Sequence, residues 1–262
     1  MPSPDIDPEA GFRVDAFSEA RPECLVITLD RPDRLNSQTP STWEELIRVR
    51  RELPGTVRVV VIRGAGRAFS AGLDRSLLSG EGILALPHLP QDEATARIAH
   101  WQQAFDWSSR ADLVSIAAVH GHAIGAGFQL ALGTDIQILT EDAQLMMAEP
   151  TLGIVPDLGG TKRLVDLVGY SRAAEICLTG RRLGADEAVR IGLASHVVPR
   201  DELDGAIERT VDALLAIDRD AAAETKALLL GAARRTQAEQ EAAERDAQYR
   251  RLRALTGLDA ET

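Results

Sequence analysis

Apolar residues fall along this chain in short runs divided by polar turns, and the spacing within each run predicts its element. Residues 24–29, CLVITL, read as a strand closed by the turn Asp30-Arg31-Pro32-Asp33. Trp43, Leu46, Ile47, Val49 and Leu53 recur at roughly helical spacing among charges and predict a helix over 42–53, ended by Pro54-Gly55. Residues 57–62, VRVVVI, form a second strand whose unbroken apolar run implies a sheet covered on both faces. A long turn of small residues, 63–74, follows it. Residues 79–92 are rich in Gly, Pro and Leu without period and predict a mobile loop, and 93–110 predict a helix.

The stretch 115–132, SIAAVHGHAIGAGFQLAL, reads as strand, tight turn and the start of a buried helix. Strands at 135–139 and 143–148 come next. The recurring order of strand, strand and helix, without internal sequence identity, predicts successive turns of one spiral. Three glycines and two prolines forbid a regular element over 149–160, EPTLGIVPDLGG, and its apolar residues predict a covered loop. Short helices follow at 161–168, at 171–179 with Ser171 as N-cap and Gly180 as stop, and at 186–191 before Gly192. His196-Val197-Val198-Pro199 is a last short strand. Leu203, Ile207, Val211, Leu214 and Leu215 then share one helix face, and 221–233 and 237–255 are helical with thin apolar sides. The expected organisation is a loose leader over 1–12, a core over 13–199 and a helical C-terminal region over 200–262 whose thin helices need a partner surface.

Composition narrows the function. The 262 residues are 45% hydrophobic and 26% charged, which suits a globular protein with a sizeable core. Acidic residues outnumber basic ones by 40 to 29 and are spread along the chain, so a nucleic-acid footprint is not expected, although a local basic cluster still suits a small anion. Cys24 and Cys177 show neither CxxC nor metal-ligand spacing, which predicts reduced, buried thiols and no metal site. The N-terminal MPSPDIDPEAGF lacks the basic patch and apolar core of a signal peptide, and no apolar run approaches ~18 residues. A cytoplasmic protein without a membrane partner is the expectation.

A helix that begins at Gly125-Ala126-Gly127 aims free backbone N–H groups at whatever precedes it, suiting a phosphate, a carboxylate or an oxyanion. One class of reading is a dinucleotide site at Gly121, Gly125 and Gly127. Against it, Leu130 occupies the third fingerprint glycine and no strand-terminal acid appears about 20 residues on.

Three passages, in this order and spacing, resemble the crotonase superfamily, the enoyl-CoA hydratase/isomerase family. They are Ala68-Phe69-Ser70-Ala71-Gly72-Leu73-Asp74, then His120-Gly121-His122-Ala123-Ile124-Gly125-Ala126-Gly127-Phe128-Gln129-Leu130-Ala131, then Glu149 through Pro156-Asp157-Leu158-Gly159-Gly160-Thr161. Leu178-Thr179-Gly180 and Ala188-Val189-Arg190-Ile191-Gly192-Leu193-Ala194 extend the likeness, which covers about residues 12–257. The resemblance implies an α/β spiral of ββα units, a C-terminal helical region that makes trimers or hexamers, and an acyl-CoA thioester as ligand. Coenzyme A then enters as part of the substrate, with no separate cofactor.

The resemblance also assigns roles. The two N–H donors of an oxyanion hole fall on Leu73 and Ala126, with Ala71, Gly72, Asp74, Gly125 and Gln129 around the substrate. Glu149 takes the place of the main catalytic glutamate; burial would raise its pKa and fit it to move protons near neutral pH, with Met146, Met147, Ile154 and Val155 as flank. Gln129 stands where the family's hydratases keep a second glutamate, and an amide cannot accept a proton from water. Asp157 replaces a usual Gly; an acid occupies this place in relatives that shift double bonds in dienoyl thioesters and in some that use an aspartate nucleophile. The latter have Trp where this chain has Glu149. Arg31, Arg34, Arg75 and Lys226 are candidates for the CoA phosphates by approximate position. His120 and His122 are outside the family's motif and read as structural. The expected activity is double-bond isomerisation; the alternatives are hydration of a 2-enoyl-CoA with Gln129 positioning the water, and a non-catalytic acyl-CoA binding protein. Residues 79–110 line the acyl pocket in the family.

Overall fold

The computed structural model describes residues 6–78 and 83–258. Positions 1–5 of the expected leader, 79–82 of the expected mobile loop and 259–262 of the C-terminal region lie outside the described residues. In chain order the elements are Phe12–Ala16 (β1), Cys24–Leu29 (β2), Pro40–Glu52 (α1), Val59–Gly64 (β3), Gln91–Gln102 (α2), Val114–Val119 (β4), His122–Ile124 (β5) and Ala126–Leu132 (α3). Ile136–Thr140 (β6), Gln144–Met146 (β7), Gly160–Val168 (α4), Tyr170–Thr179 (α5), Leu183–Gly184 (β8), Ala185–Arg190 (α6) and His196–Val198 (β9) follow. Leu203–Ala216 (α7), Arg219–Ala232 (α8) and Gln237–Leu255 (α9) end the chain.

The strands form two sheets, one of six strands in the order β1-β2-β3-β4-β6-β9 and one of three in the order β5-β7-β8. The large sheet is parallel except at its β1 edge. Two successive turns of the chain add a strand to the large sheet, then one to the small sheet, then a helix: β4, β5, α3 and then β6, β7, α4, while the turns begun by β2 and β3 reach the small-sheet layer only through the bridges Gln38↔Leu73 and Ser70↔Ala123. This is the expected spiral. The unbroken apolar run of β3 has a simple cause. Its alternate residues feed different cores, Val60 and Ile62 on the α1 and α3 side and Val59 and Val61 on the side covered by Leu203, Ala206, Ile207 and Val211 of α7.

Several local expectations are corrected. The leader is not loose as far as residue 12, because Ala10 is fully buried, its carbonyl accepts from the Thr42 hydroxyl at 2.7 Å, and Phe12 and Val14 point inward from β1. The strand missed there is short and follows Pro and Asp, so its alternation carries little signal. Residues 122–124 form a strand of the small sheet, where the pattern suggested only a turn. The helix expected to 110 stops at Gln102 and continues as two 3-10 turns. Ser171 lies inside α5, which starts after Gly169 at φ +78°. The 149–160 loop opens with a 3-10 turn and is not covered: Val155 is 71% exposed, and Leu152 and Ile154 are also open to solvent.

The polar core beneath the 68–74 turn matters most for function. Asn36, in the left-handed region at φ +54°, donates to the carbonyls of Ala65 and Ala68. Gln38, fully buried, accepts from the Trp43 indole N–H at 2.9 Å and donates to the Ser70 hydroxyl at 3.0 Å. Its own N–H and C=O bond to Gly72 and Asp74. Gln38→Leu strands these partners in the core, so it is expected to cost about 2–3 kcal/mol in urea unfolding. An unshifted urea midpoint would mean that the amide does not hold the turn.

Candidate active site

Residues 70–74 run beside β5, with Ser70 N donating to His122 O at 2.8 Å and Ile124 N to Ser70 O at 3.0 Å. On the other edge Gly72 O accepts from Gln38 N and Asp74 N donates to Gln38 O. A parallel bridge of this kind uses the residues either side of Leu73, so the N–H of Leu73 turns away from Gln38, toward β5 and the start of α3. Gly72, at φ +85°, packs so closely that a Cβ would sit 2.3 Å from the Ile124 carbonyl and 3.3 Å from Ala126 N. Ala126 is the first residue of α3 and has no acceptor for its N–H within the helix. The backbone at Leu73 and the start of α3 are thus neighbours, although about fifty residues separate them.

Glu149 is 7% exposed at the head of its 3-10 turn, and it lies against Gly125, where a Cβ would stand 3.2 Å from its Oε1. Gly125 has φ +52° and ψ −121°, a conformation open to glycine. Gln129 lies one helical turn on. Its Nε2 donates to Glu149 Oε1 at 2.7 Å, and its Oε1 accepts from Leu158 N at 3.0 Å and Gly160 N at 3.2 Å. Two backbone donors on the oxygen fix which way the amide points. Glu149 Oε2 is buried and has no hydrogen-bond partner among the described residues.

Burial raises the Glu149 pKa above the ordinary glutamate range; the Gln129 hydrogen bond opposes this and the charge of Asp157 adds to it. Asp157 is half-buried, and burial raises its pKa too. Its backbone carbonyl accepts from Gln102 of α2 at 2.7 Å. The expected apolar flank of Glu149 is corrected: Met147 is buried, but Ile154 and Val155 face solvent, so Gly125, Gln129 and the body of the fold do the desolvating.

A cleft of about 600 Å³ runs past Ala71, Leu73 and Ile124. Arg34 and Arg75 line it, as do His122 and Arg182. Arg31 is committed to Asp74 at 2.9 Å and to Ser37 O at 2.8 Å. Burial alone would raise the pKa of Asp74, but hydrogen bonds from Ser76, Arg31 and Ser37 bring it down to about 2. Lys226 is corrected outright. Its ammonium is buried against the Leu113 carbonyl and Asp135, at 2.8 Å from the latter, and it does not line the cleft. Arg182 was missed because nothing in Arg181-Arg182 says which arginine is spent on an ion pair. His120 is buried with Nε2 3.1 Å from Gly66 O, a structural position. A second cavity of about 360 Å³ opens beside Gln129, between Gln102 and Phe105 on one side and Leu158 on the other. Among the described residues no three His, Cys, Asp or Glu side chains could hold a metal ion, and no helix is long and apolar enough to cross a membrane.

The family model for enoyl-CoA hydratase/isomerase matches residues 19–256. The carnitinyl-CoA dehydratase of Salmonella enteritidis is 38% identical over 183 residues, 68% of this chain and 66% of the relative. Human mitochondrial Delta(3,5)-Delta(2,4)-dienoyl-CoA isomerase is 32% identical over 213 residues, 76% of this chain and 63% of the relative. The chain therefore spans slightly under two thirds of the length of the curated relatives it matches. A Thermobifida fusca protein, by name an enoyl-CoA hydratase and crystallised with acetoacetyl-CoA, superposes with a TM-score of 0.88 at 47% identity, covering 93% of this chain and 95% of that one. With the family model covering most of its length, the chain belongs to the enoyl-CoA hydratase/isomerase family of the crotonase superfamily.

Proposed function

We propose that this protein is an acyl-CoA thioester enzyme that moves a carbon–carbon double bond by proton transfer. The observation that carries this is Glu149, a buried carboxylate with one oxygen free, set beside two backbone N–H groups from separate elements. The acetoacetyl-CoA bound to the Thermobifida fusca relative supports the ligand class. Glu149 removes a proton from C2 of a 3-enoyl thioester, and the electron pair passes into the thioester carbonyl. The N–H groups of Leu73 and Ala126 hold the resulting oxyanion, a charge they bind more strongly than the neutral carbonyl. Glu149, or Asp157 beside it, returns a proton at C4, and the product is the 2-enoyl thioester. Coenzyme A enters and leaves esterified, as part of substrate and product, and the chemistry asks for no other cofactor.

Gln129 has its carbonyl occupied by two N–H groups and its amide N–H turned to Glu149, which favours a role in holding the base. Hydration of a 2-enoyl thioester is the second reading, favoured by the one N–H that the Gln129 amide has left to offer a water. The cavity beside Gln129, bounded by Gln102 and Phe105, is our candidate for the acyl chain. Exposed Leu229, Tyr249, Leu252 and Leu255 on α8 and α9 support assembly of trimers or hexamers through the helical region. A cytoplasmic location remains part of the proposal.

Glu149→Gln is expected to lower turnover of 3-enoyl-CoA at least a thousand-fold while calorimetry finds acyl-CoA binding intact; unchanged turnover would remove Glu149 as the base. Because the base works ionised and its pKa is raised, the wild-type rate should climb with pH through an apparent pKa above the ordinary glutamate value. Gln129→Leu removes a bond that favours the ionised form, so this limb should move to higher pH; a profile that stays put or moves down would contradict the assigned role. Gln129→Glu should gain hydration of 2-enoyl-CoA, read as loss of the conjugated thioester absorbance, and no gain would separate this position from the choice of reaction.

A further inference from the structure

The cavity beside Gln129 follows α3 from the base toward the end of the helix. Gln129, bonded to Glu149, lines one end; Gly133, about 6 Å further along the helix axis, lines the other. Two other parts of the chain close on α3 at this far end. Ser108, in the second 3-10 turn after α2, donates its backbone N–H to Gly133 O at 2.9 Å. Arg163 of α4 donates to Leu132 O at 3.2 Å and to Thr134 O at 3.1 Å.

This far wall is too polar to suit a plain hydrocarbon. Ser108 is only 4% exposed, yet its hydroxyl has no hydrogen-bond partner among the described residues and is not sealed off from the cavity that the residue lines. Its neighbour Ser109 shows the contrast, with a hydroxyl that donates to Asp106 O and accepts from Arg50. Gln103 adds a second open donor to the same wall. Its Oε1 accepts from Arg51 at 2.7 Å, and its amide N–H groups have no partner among the described residues.

An apolar chain entering here displaces water from the Ser108 hydroxyl and leaves that group buried and unpaired, which works against binding. A chain with an oxygen at this depth makes the bond good. Charge narrows the oxygen to a neutral one. Arg163 is spent on the carbonyls at the end of α3, and Asp106 brings the opposite charge to the lining, so a carboxylate meets no unopposed cation there.

We propose that this cavity selects acyl chains that carry a neutral oxygen, as a hydroxyl or keto group, near their far end, and that Ser108 is the residue that reads it. This rests on the acyl-CoA reading above and narrows its substrate class from enoyl thioesters in general to oxygenated ones. Ser108 takes no part in the proton transfer. It determines specificity from the opposite end of the cavity to Glu149.

Calorimetry with saturated acyl-CoA esters, which have no double bond to move, tests the assignment. Hexanoyl-, octanoyl- and decanoyl-CoA are each compared with the ester of the same length bearing a terminal hydroxyl and with the one bearing a terminal carboxylate. At the length that reaches Ser108, the hydroxylated ester is expected to bind wild type about five-fold more tightly than the plain one. Ser108→Ala breaks no side-chain bond within the protein, so it should keep the melting temperature and lose this preference through weaker binding of the hydroxylated ester. Equal binding of plain and hydroxylated esters at every length, a preference that survives in Ser108→Ala, or a carboxylated ester preferred to the hydroxylated one would overturn the assignment. The expected preference, found in a protein that turns over no enoyl thioester, would keep the specificity of the cavity and defeat the proposed reaction instead. Failure to bind any of the esters would defeat the acyl-CoA reading and this proposal with it.

Discussion

The hydrogen bond from Gln129 to Glu149 is the interaction on which the rest of the site depends. A carboxylate 7% exposed is costly unless something donates to it, and among the described residues one oxygen has a single neutral donor while the other has none. The donor is itself immobilised, because Leu158 N and Gly160 N hold its oxygen. Backbone at the foot of α4 thus sets the direction of the amide, and the amide sets the position and basicity of Glu149. A glutamate in place of Gln129 would bring a second negative charge into the same space. The amide instead leaves one carboxylate under-solvated and ready to take a proton.

The fold supplies this arrangement through close backbone contact. Two stretches about fifty residues apart must bring N–H groups together, and side chains would hold them apart. Gly72 against Ile124 and Gly127 against Ser70, where a Cβ would lie 2.4 Å from the carbonyl oxygen, let the 70–74 segment, β5 and α3 close on one another. The spiral brings about the meeting, since successive turns lay their segments side by side, Gln38 bridged to Leu73, Ser70 to Ala123 in β5, and β5 paired with β7. Gln38 and Asn36 then lock the segment from below with bonds that no water needs to complete.

Much of this was legible in the sequence, and the parts that were not share a cause. Unbroken apolar runs such as β3 announced a doubly covered sheet, and the small-residue passages around Gly72 and Gly125 announced tight backbone approach. Glu149 was found through the family resemblance that those passages carry. What sequence could not give was pairing across the fold. Gln129 looked like a holder of water and is bonded to Glu149; Lys226 looked like a phosphate ligand and is tied to Asp135; Arg182 looked like any arginine after a helix. The β1 strand was hidden for a related reason, because its few alternating residues mean little until β2 lies beside them. Exposure of Leu152, Ile154 and Val155 likewise reverses what apolar composition suggested.

The central claim is that Leu73 and Ala126 polarise a thioester carbonyl beside a single buried base. Isotope-edited infrared spectroscopy of an acyl-CoA carrying 13C at the thioester carbonyl reads that claim directly, with Glu149→Gln used to hold the substrate unreacted. The carbonyl band should move to lower frequency on binding than it has in water, because two fixed donors in a dry site withdraw more electron density than mobile solvent. A bound carbonyl with the frequency it has in water, or a higher one, would contradict the account.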